Sequence, residues 1–200
     1  MYLLNTMNCS RFNYYRIPLT LILGMFFLNL QASTQEQPSN ELRLLLKSAI
    51  NASDSFTDRF EAEVWLLDMS TRLSKKIKNA EERLNLLRHI HYEAKRAKLS
   101  PQIVLALIQV ESNFDEYAIS RVGARGLMQI MPFWLKEIDN IGDNLFNIRT
   151  NLRFGCTILR YYLDKEKGNI TRALARYNGS LGSYRYTTKV FNALDKYWQL

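Results

Sequence analysis

Cysteine is nearly absent from this 200-residue chain: only Cys9 and Cys156 occur, so neither a disulfide-dense scaffold nor a four-cysteine zinc site can form. Histidine is as scarce, and His89 and His91 stand two positions apart. On a helix that spacing points them to different faces, whereas helical metal pairs use i, i+4. They read as two partly exposed helix histidines, and no metal and no cofactor is expected. Eight glycines and four prolines are too few for a collagenous or low-complexity chain. Acidic residues are outnumbered 19 to 27 by Lys and Arg, for a net charge of +8. Such a surface favours a polyanion without choosing among nucleic acid, anionic lipid and a carboxylate-bearing wall polymer. Apolar residues, by contrast, make up 47% of the chain and aromatics 12%. A disordered chain cannot bury that much, and the length suits one compact domain with a small extension.

No apolar run reaches the ~20 residues of a membrane-spanning helix. The longest, Ile17 to Leu30, follows Arg11 and Arg16, the only charges before Glu36. It ends at Leu30-Gln31-Ala32 before Ser33. A positive start, a short apolar centre and a small residue at the end predict a signal peptide over 1–32 and export to the periplasm or cell envelope. An uncleaved N-terminal anchor is the rival reading. Cys9 precedes the apolar run, which argues against lipidation there. Cleavage after Ala32 leaves Cys156 without a partner, among Phe154, Ile158 and Leu159, as a buried and inert thiol.

Beyond that segment the chain reads as successive helices. Ser33 to Asn40 is polar, contains Pro38 and predicts a flexible start. Leu42, Leu45, Leu46 and Ala49 form a short helical stripe. Phe56, Phe60, Val64, Leu67 and Met69 continue it, with Trp65 and Leu66 widening the face. Residues 33–85 form an N-terminal helical region on this reading. Lys75-Lys76-Ile77-Lys78 reads as a solvated helix end. A further helix is expected from about Ala80 to Lys98, with Leu84, Leu87, Ile90 and Ala94 on one side. Ser100 can cap a helix that Pro101 opens, running to about Asn113 on a stripe of Ile103, Leu107, Val110 and Phe114. Leu127 to Met131 is the one candidate extended piece. The expected fold class is therefore mainly α.

Glu111 lies one turn beyond Leu107 on the apolar face and in the last turn of its helix. Apolar surroundings and the negative end of the helix dipole both disfavour the ion and raise the pKa. That environment suits a general acid; a carboxylate swung into solvent is the plainer alternative.

The surrounding residues form four ordered motifs. Glu111-Ser112-Asn113-Phe114 is followed by Ser120 and by Gly123-Ala124-Arg125-Gly126-Leu127-Met128-Gln129-Ile130-Met131-Pro132. Asn151 and Gly155 come next, then Ala175-Arg176-Tyr177-Asn178-Gly179. This pattern, from about Leu86 to Trp198, strongly resembles the lytic transglycosylases of the soluble-transglycosylase (SLT) type, relatives of goose-type lysozyme. The resemblance implies a lysozyme-like, mainly helical catalytic domain over 86–200. It implies cleavage of the β-1,4 bond between N-acetylmuramic acid and N-acetylglucosamine in peptidoglycan glycan strands. By position, Glu111 is then the single catalytic acid/base. Ser120 contacts substrate near the cleaved bond, and Gln129 and Met131 line the saccharide cleft. Tyr177 reaches the Glu111 carboxylate, and Asn178 supports the same wall. The chain departs from the family pattern at Ile158, at Phe133-Trp134 after Pro132 and at Ser180-Leu181, which bears on cleft shape. Phe133 and Trp134 either pack or stack on a sugar, and Met128 is expected in the core.

A hydrolytic glycosidase ordinarily needs two carboxylates. Asp115, Glu116, Asp139 and Asp143 are the other acids within reach, and none occupies a motif position. With one carboxyl group, the substrate's N-acetyl group supplies the missing stabilisation and its 6-hydroxyl closes a 1,6-anhydro ring. Two alternatives stand beside this reading: a hydrolytic goose-type muramidase, and a non-catalytic module binding wall polymer or nucleic acid through the Arg/aromatic segments 153–162 and 176–186. The signal peptide argues against nucleic acid as a partner. Cell-envelope protein partners are left open.

Overall fold

The computed structural model describes residues 59–137 and 144–199. The expected signal peptide over 1–32 with Cys9, the start at Ser33–Asn40, the Leu42–Ala49 stripe, Phe56, Asp139 and Asp143 lie outside the described residues, as do the side chains of Phe60 and Val64. The chain divides into two units, Met1–Gln31 and Ala32–Leu200, and everything described belongs to the second.

The described residues form seven α-helices: α1 (Arg59–Leu73), α2 (Ala80–Arg96), α3 (Pro101–Glu111), α4 (Phe133–Glu137), α5 (Ile148–Lys165), α6 (Ile170–Tyr177) and α7 (Arg185–Ala193). A π-helical turn, Leu194–Trp198, continues α7. The only β pairing among the described residues is two isolated bridges, Ile119 with Arg125 and Arg125 with Ile130. The fold is mainly α, as expected. The extended piece foreseen at Leu127 to Met131 is instead a tight turn, with only Ile130 in a bridge.

Local chemistry sets the helix starts. Asn79, Asn147 and Asn169 cap α2, α5 and α6, their side-chain oxygens accepting from Glu81, Thr150 and Arg172 N–H groups over 2.9, 3.1 and 3.0 Å. Pro101 opens α3 as expected, but the Ser100 hydroxyl bonds the Gln102 side chain (2.7 Å) rather than the backbone. The hydroxyl is turned instead toward the Gln102 amide oxygen, which competes as an acceptor.

α3 is the centre of the domain. Six consecutive residues, Ile103 to Ile108, are buried, so the helix is apolar all round rather than along one stripe. It packs against α2, α7 and the π-helical turn, while α5 packs against α2 and α6. In α1 the buried face is Trp65, Leu66, Met69 and Leu73; Leu67, assigned to the stripe from sequence, is 75% exposed. His91 is buried, its ring 4.9 Å from that of Trp65, and so is not the partly exposed residue expected. Residue 85 lies inside α2, and α1 packs on both α2 and the π-helical turn.

Glu93 is fully buried in α2 and pairs with Arg153 (2.7 Å) and Arg96 (2.6 Å); Arg96 also donates to Thr157 (2.8 Å). This network ties α2 to α5. Cys156, next to it, is fully buried, and burial pushes its thiol well above the ordinary value. A thiol held protonated in this way is inert.

Candidate active site

α3 ends at Glu111, and Ser112 caps it by donating its N–H to the Ile108 carbonyl (3.0 Å). The chain then turns sharply through Asn113 and Phe114, both in the left-handed region at φ 52° and 70°. It enters a compact loop that forms one wall of an open cleft. Glu111 contributes the floor. Ser120, Val122, Ala124, Gln129 and Met131 come from the loop, and Tyr177 and Asn178 from the end of α6. All six residues singled out from sequence therefore converge on one cleft; Val122 and Ala124 were not foreseen.

The loop is stiff because its backbone is paired internally. Arg125 and Ile130 exchange two hydrogen bonds of 2.9 Å, and Ser120 N–H donates to Ala124 O (2.9 Å). The Ser120 hydroxyl accepts from Ala124 N–H (3.0 Å). The Gln129 amide nitrogen donates to the carbonyls of Ala118 (3.1 Å) and Gly126 (2.9 Å), so part of this cleft residue is spent on holding the loop. Asn151 then pins the loop from α5. Its oxygen accepts from Met128 N–H (2.8 Å), and its nitrogen donates to the carbonyls of Arg125 (2.9 Å) and Leu145 (2.8 Å). Gly126 sits at φ 74°, where a Cβ would collide with Asn151 and the Leu145 carbonyl. A Cβ on Gly155 would strike Met128, which is fully buried as expected. Thus Asn151 and Gly155 serve the cleft wall from a helix behind it. Trp134 is fully buried and Phe133 stacks on it at 5.1 Å, so packing is their role.

Glu111 lines the cleft and is partly buried there. Burial is the main cause that pushes its pKa up to about 7, opposed by a hydrogen bond from Tyr186. That hydroxyl donates to Glu111 Oε1 at 2.5 Å. The expectation for Tyr177 is corrected here: its hydroxyl donates to the Met128 carbonyl (2.7 Å), not to Glu111. Tyr177 lies at the end of α6 and braces the loop, whereas α7 carries Tyr186 across to the floor. Burial and the Glu111 charge hold both phenols well above their ordinary pKa, so both remain donors. Sequence reasoning missed Tyr186. Its apolar spacing to Val190 on α7 was the available signal, both being buried.

Asp115 is exposed and its Oδ1 accepts from Tyr117 N–H (2.9 Å), closing a local turn. Neither Asp115 nor Glu116 lines the cleft. Among the residues that do, Glu111 is the one acid. Of the Arg/aromatic segments considered as stacking platforms, 153–162 is largely interior, with Arg153 and Tyr162 buried, whereas 176–186 buries Tyr177 and Tyr186 but leaves Tyr184 and Arg185 exposed. Among the described residues, no helix is long and apolar enough to cross a membrane.

The family described as Transglycosylase SLT domain matches residues 88–199. The chain is 32% identical over 117 residues to membrane-bound lytic murein transglycosylase C of Actinobacillus pleuropneumoniae serotype 5b, covering 52% of this chain and 32% of that protein. It is 33% identical over 91 residues to a transglycosylase of Enterobacteria phage PRD1, covering 46% of this chain and 33% of that protein. It thus spans about a third of the length of these curated relatives. Among solved structures, an inactive mutant of the lytic transglycosylase Slt from Pseudomonas aeruginosa is similar, with a TM-score of 0.43 and 28% identity over 56% of this chain and 22% of that one. With more than half of its length matched, and with the motif residues gathered at one cleft, the chain belongs to the Transglycosylase SLT domain family.

Proposed function

We propose that this protein is a peptidoglycan lytic transglycosylase. It cleaves the β-1,4 bond between N-acetylmuramic acid and N-acetylglucosamine without water and leaves a 1,6-anhydro ring. The observation that carries this reading is the single carboxyl group at the cleft floor, with a pKa raised to about 7. A group poised near neutrality can give a proton in one step and take one in the next. Protonated Glu111 donates to the glycosidic oxygen as the bond to the anomeric carbon breaks. The substrate's N-acetyl oxygen stabilises the positive charge that develops there. Glu111, now a carboxylate, removes the proton of the 6-hydroxyl on the same muramic acid, and that oxygen closes on the anomeric carbon. The nucleophile is intramolecular, which carries a large proximity advantage over water. Tyr186 fixes the carboxyl rotamer through both steps. Ser120, Gln129 and Met131 hold one side of the glycan, and Asn178 and Tyr177 the other. Similarity to the murein transglycosylase relatives supports the same chemistry. We further read residues 1–32 as a signal peptide directing the protein to the cell envelope, with 33–85 as a helical region preceding the catalytic domain.

Mass spectrometry of products from purified sacculi tests the reading. The anhydro product is one water lighter than a hydrolytic one. Glu111→Gln is expected to abolish cleavage while glycan binding persists. Reducing-end muramic acid as the main product would establish a goose-type hydrolase instead.

A further inference from the structure

α1 precedes residue 88 and so lies outside the family match, yet it reaches the catalytic helix by two routes. The first runs through Trp198. The Arg72 guanidinium donates to the carbonyls of Tyr197 (3.2 Å) and Gln199 (2.9 Å), one on each side of Trp198. It is itself steadied by Asp68 on α1 (2.9 Å). The indole N–H of the buried Trp198 donates to Gln109 Oε1 (2.9 Å), and its ring lies 5.5 Å from that of Phe114. Gln109 stands two residues before Glu111, and Phe114 three after. The second route starts in the turn that follows α1. The Lys76 ammonium donates to Asn113 Oδ1 and sits 5.9 Å over the Phe114 ring. The cationic run expected to be a solvated helix end thus has one member tied to the catalytic turn.

Both routes end on a backbone in an uncommon conformation. Asn113 and Phe114 are consecutive non-glycine residues in the left-handed region. Such residues persist only where surrounding structure over-determines them. Here the surroundings are Trp198 and Lys76, together with the Ser112 hydroxyl, which accepts from Phe114 N–H (3.2 Å).

We propose that Trp198, Arg72 and Lys76 are positioning residues for Glu111: α1 and the π-helical turn together clamp the last turn of α3 and the residues that follow it. This rests on the reading of Glu111 as the catalytic acid/base. One carboxyl serves two proton transfers at different substrate oxygens, so its placement limits both steps. Tyr186 from α7 and Tyr177 from α6 are the titratable groups that face it, and both remain protonated. They fix the carboxyl end of the side chain, while the clamp fixes the backbone that carries it.

The test uses the full chain, four clamp variants and Glu111→Gln. Trp198→Phe keeps a smaller aromatic ring and removes the donor. Arg72→Met removes both carbonyl contacts, Arg72→Lys keeps a donor, and Lys76→Met alters an exposed residue. Rates on a soluble glycan strand are measured against pH, with circular dichroism to check the fold. Trp198→Phe and Arg72→Met are expected to lower kcat ~10- to 100-fold, the scale of a small misplacement of a catalytic group, with KM within about twofold. The pH at which the rate falls on the alkaline side should drop as the loosened carboxyl gains water. Arg72→Lys should recover much of the rate, and Lys76→Met should share the defect. Folded variants that keep kcat and the pH profile would overturn the clamp. If Trp198→Phe does not fold, Lys76→Met decides: an unchanged rate and profile overturns the proposal. Glu111→Gln in the same assay separates the two failures. An active Glu111→Gln removes the functional reading and the clamp with it, whereas an inactive Glu111→Gln beside unaffected clamp variants removes the clamp alone.

Discussion

The phenol of Tyr186 donates its proton to Glu111 Oε1 across 2.5 Å, joining α7 to the end of α3. The contact opposes burial, since a donor to the carboxylate favours the charged form. Tyr186 therefore does two things: it aims the carboxyl group and keeps its pKa from rising further.

Tyr186→Phe should accordingly lower kcat more than it alters KM, because aim matters most in the transition state. A loss of ~10- to 100-fold is expected if the carboxyl turns away by one rotamer. The alkaline limb of the pH–rate profile should move up, because the hydrogen bond that favours the ion is gone. Steady-state kinetics at several pH values check both points. An unchanged profile would return Tyr186 to a packing role.

Tyr177→Phe should differ in kind. Its hydroxyl satisfies the buried Met128 carbonyl, 49 positions away in the chain. Leaving that acceptor unpaired costs about 1–3 kcal/mol. Urea denaturation should show the loss, and the alkaline limb should stay where it is. A variant of full stability would show that another donor replaces the phenol.

Asn151→Ala tests the loop wall. One side-chain amide makes three hydrogen bonds to backbone groups on either side of the cleft loop. Removing it strands the Met128 donor and the Leu145 carbonyl, at about 1–3 kcal/mol for each buried group that water cannot reach, while the Arg125 carbonyl keeps its bond from Ile130 N–H. A drop in urea midpoint and weaker glycan binding should appear together, since Gln129 and Ser120 ride on this loop. Retained binding in a destabilised Asn151→Ala protein would uncouple the two.

The parts of this molecule that sequence exposed are those where local chemistry decides. The start of α3 follows from Pro101, and α2 falls close to its foreseen limits because apolar spacing and an Asn cap act within a few residues. The cleft residues Glu111, Ser120, Gln129, Met131, Tyr177 and Asn178 were placed through motif resemblance, and all six meet. What sequence did not expose depends on tertiary contact. Glu93 looks like any surface helix acid until Arg153, 60 residues later, pairs with it. Leu67 fits an apolar stripe, but the partner helices take the opposite face. The choice between Tyr177 and Tyr186 turns on how α6 and α7 cross, which no spacing along either helix encodes. Trp198 near the chain's end gives no hint that it bonds Gln109 on the catalytic helix.

The raised pKa of Glu111 also makes stability depend on pH in a definite direction. Its ordinary value is 4.5 and its folded value about 7. Between these limits the folded protein binds the proton that the unfolded chain has released, so stability falls as pH rises through the window. Below the lower limit the contribution is fully present, and above the upper one it is lost. At 1.36 kcal/mol per unit, the span corresponds to at most about 3 kcal/mol. Glu111→Gln removes the titration and keeps the shape. The variant should therefore match the parent near pH 4 and exceed it in stability at pH 8. The gap should open between pH 5 and pH 7. Urea midpoints of both proteins, measured across that range, provide the check. Parallel curves would mean that the carboxyl is solvated in the folded protein, and would remove the physical basis for its action as an acid at neutral pH.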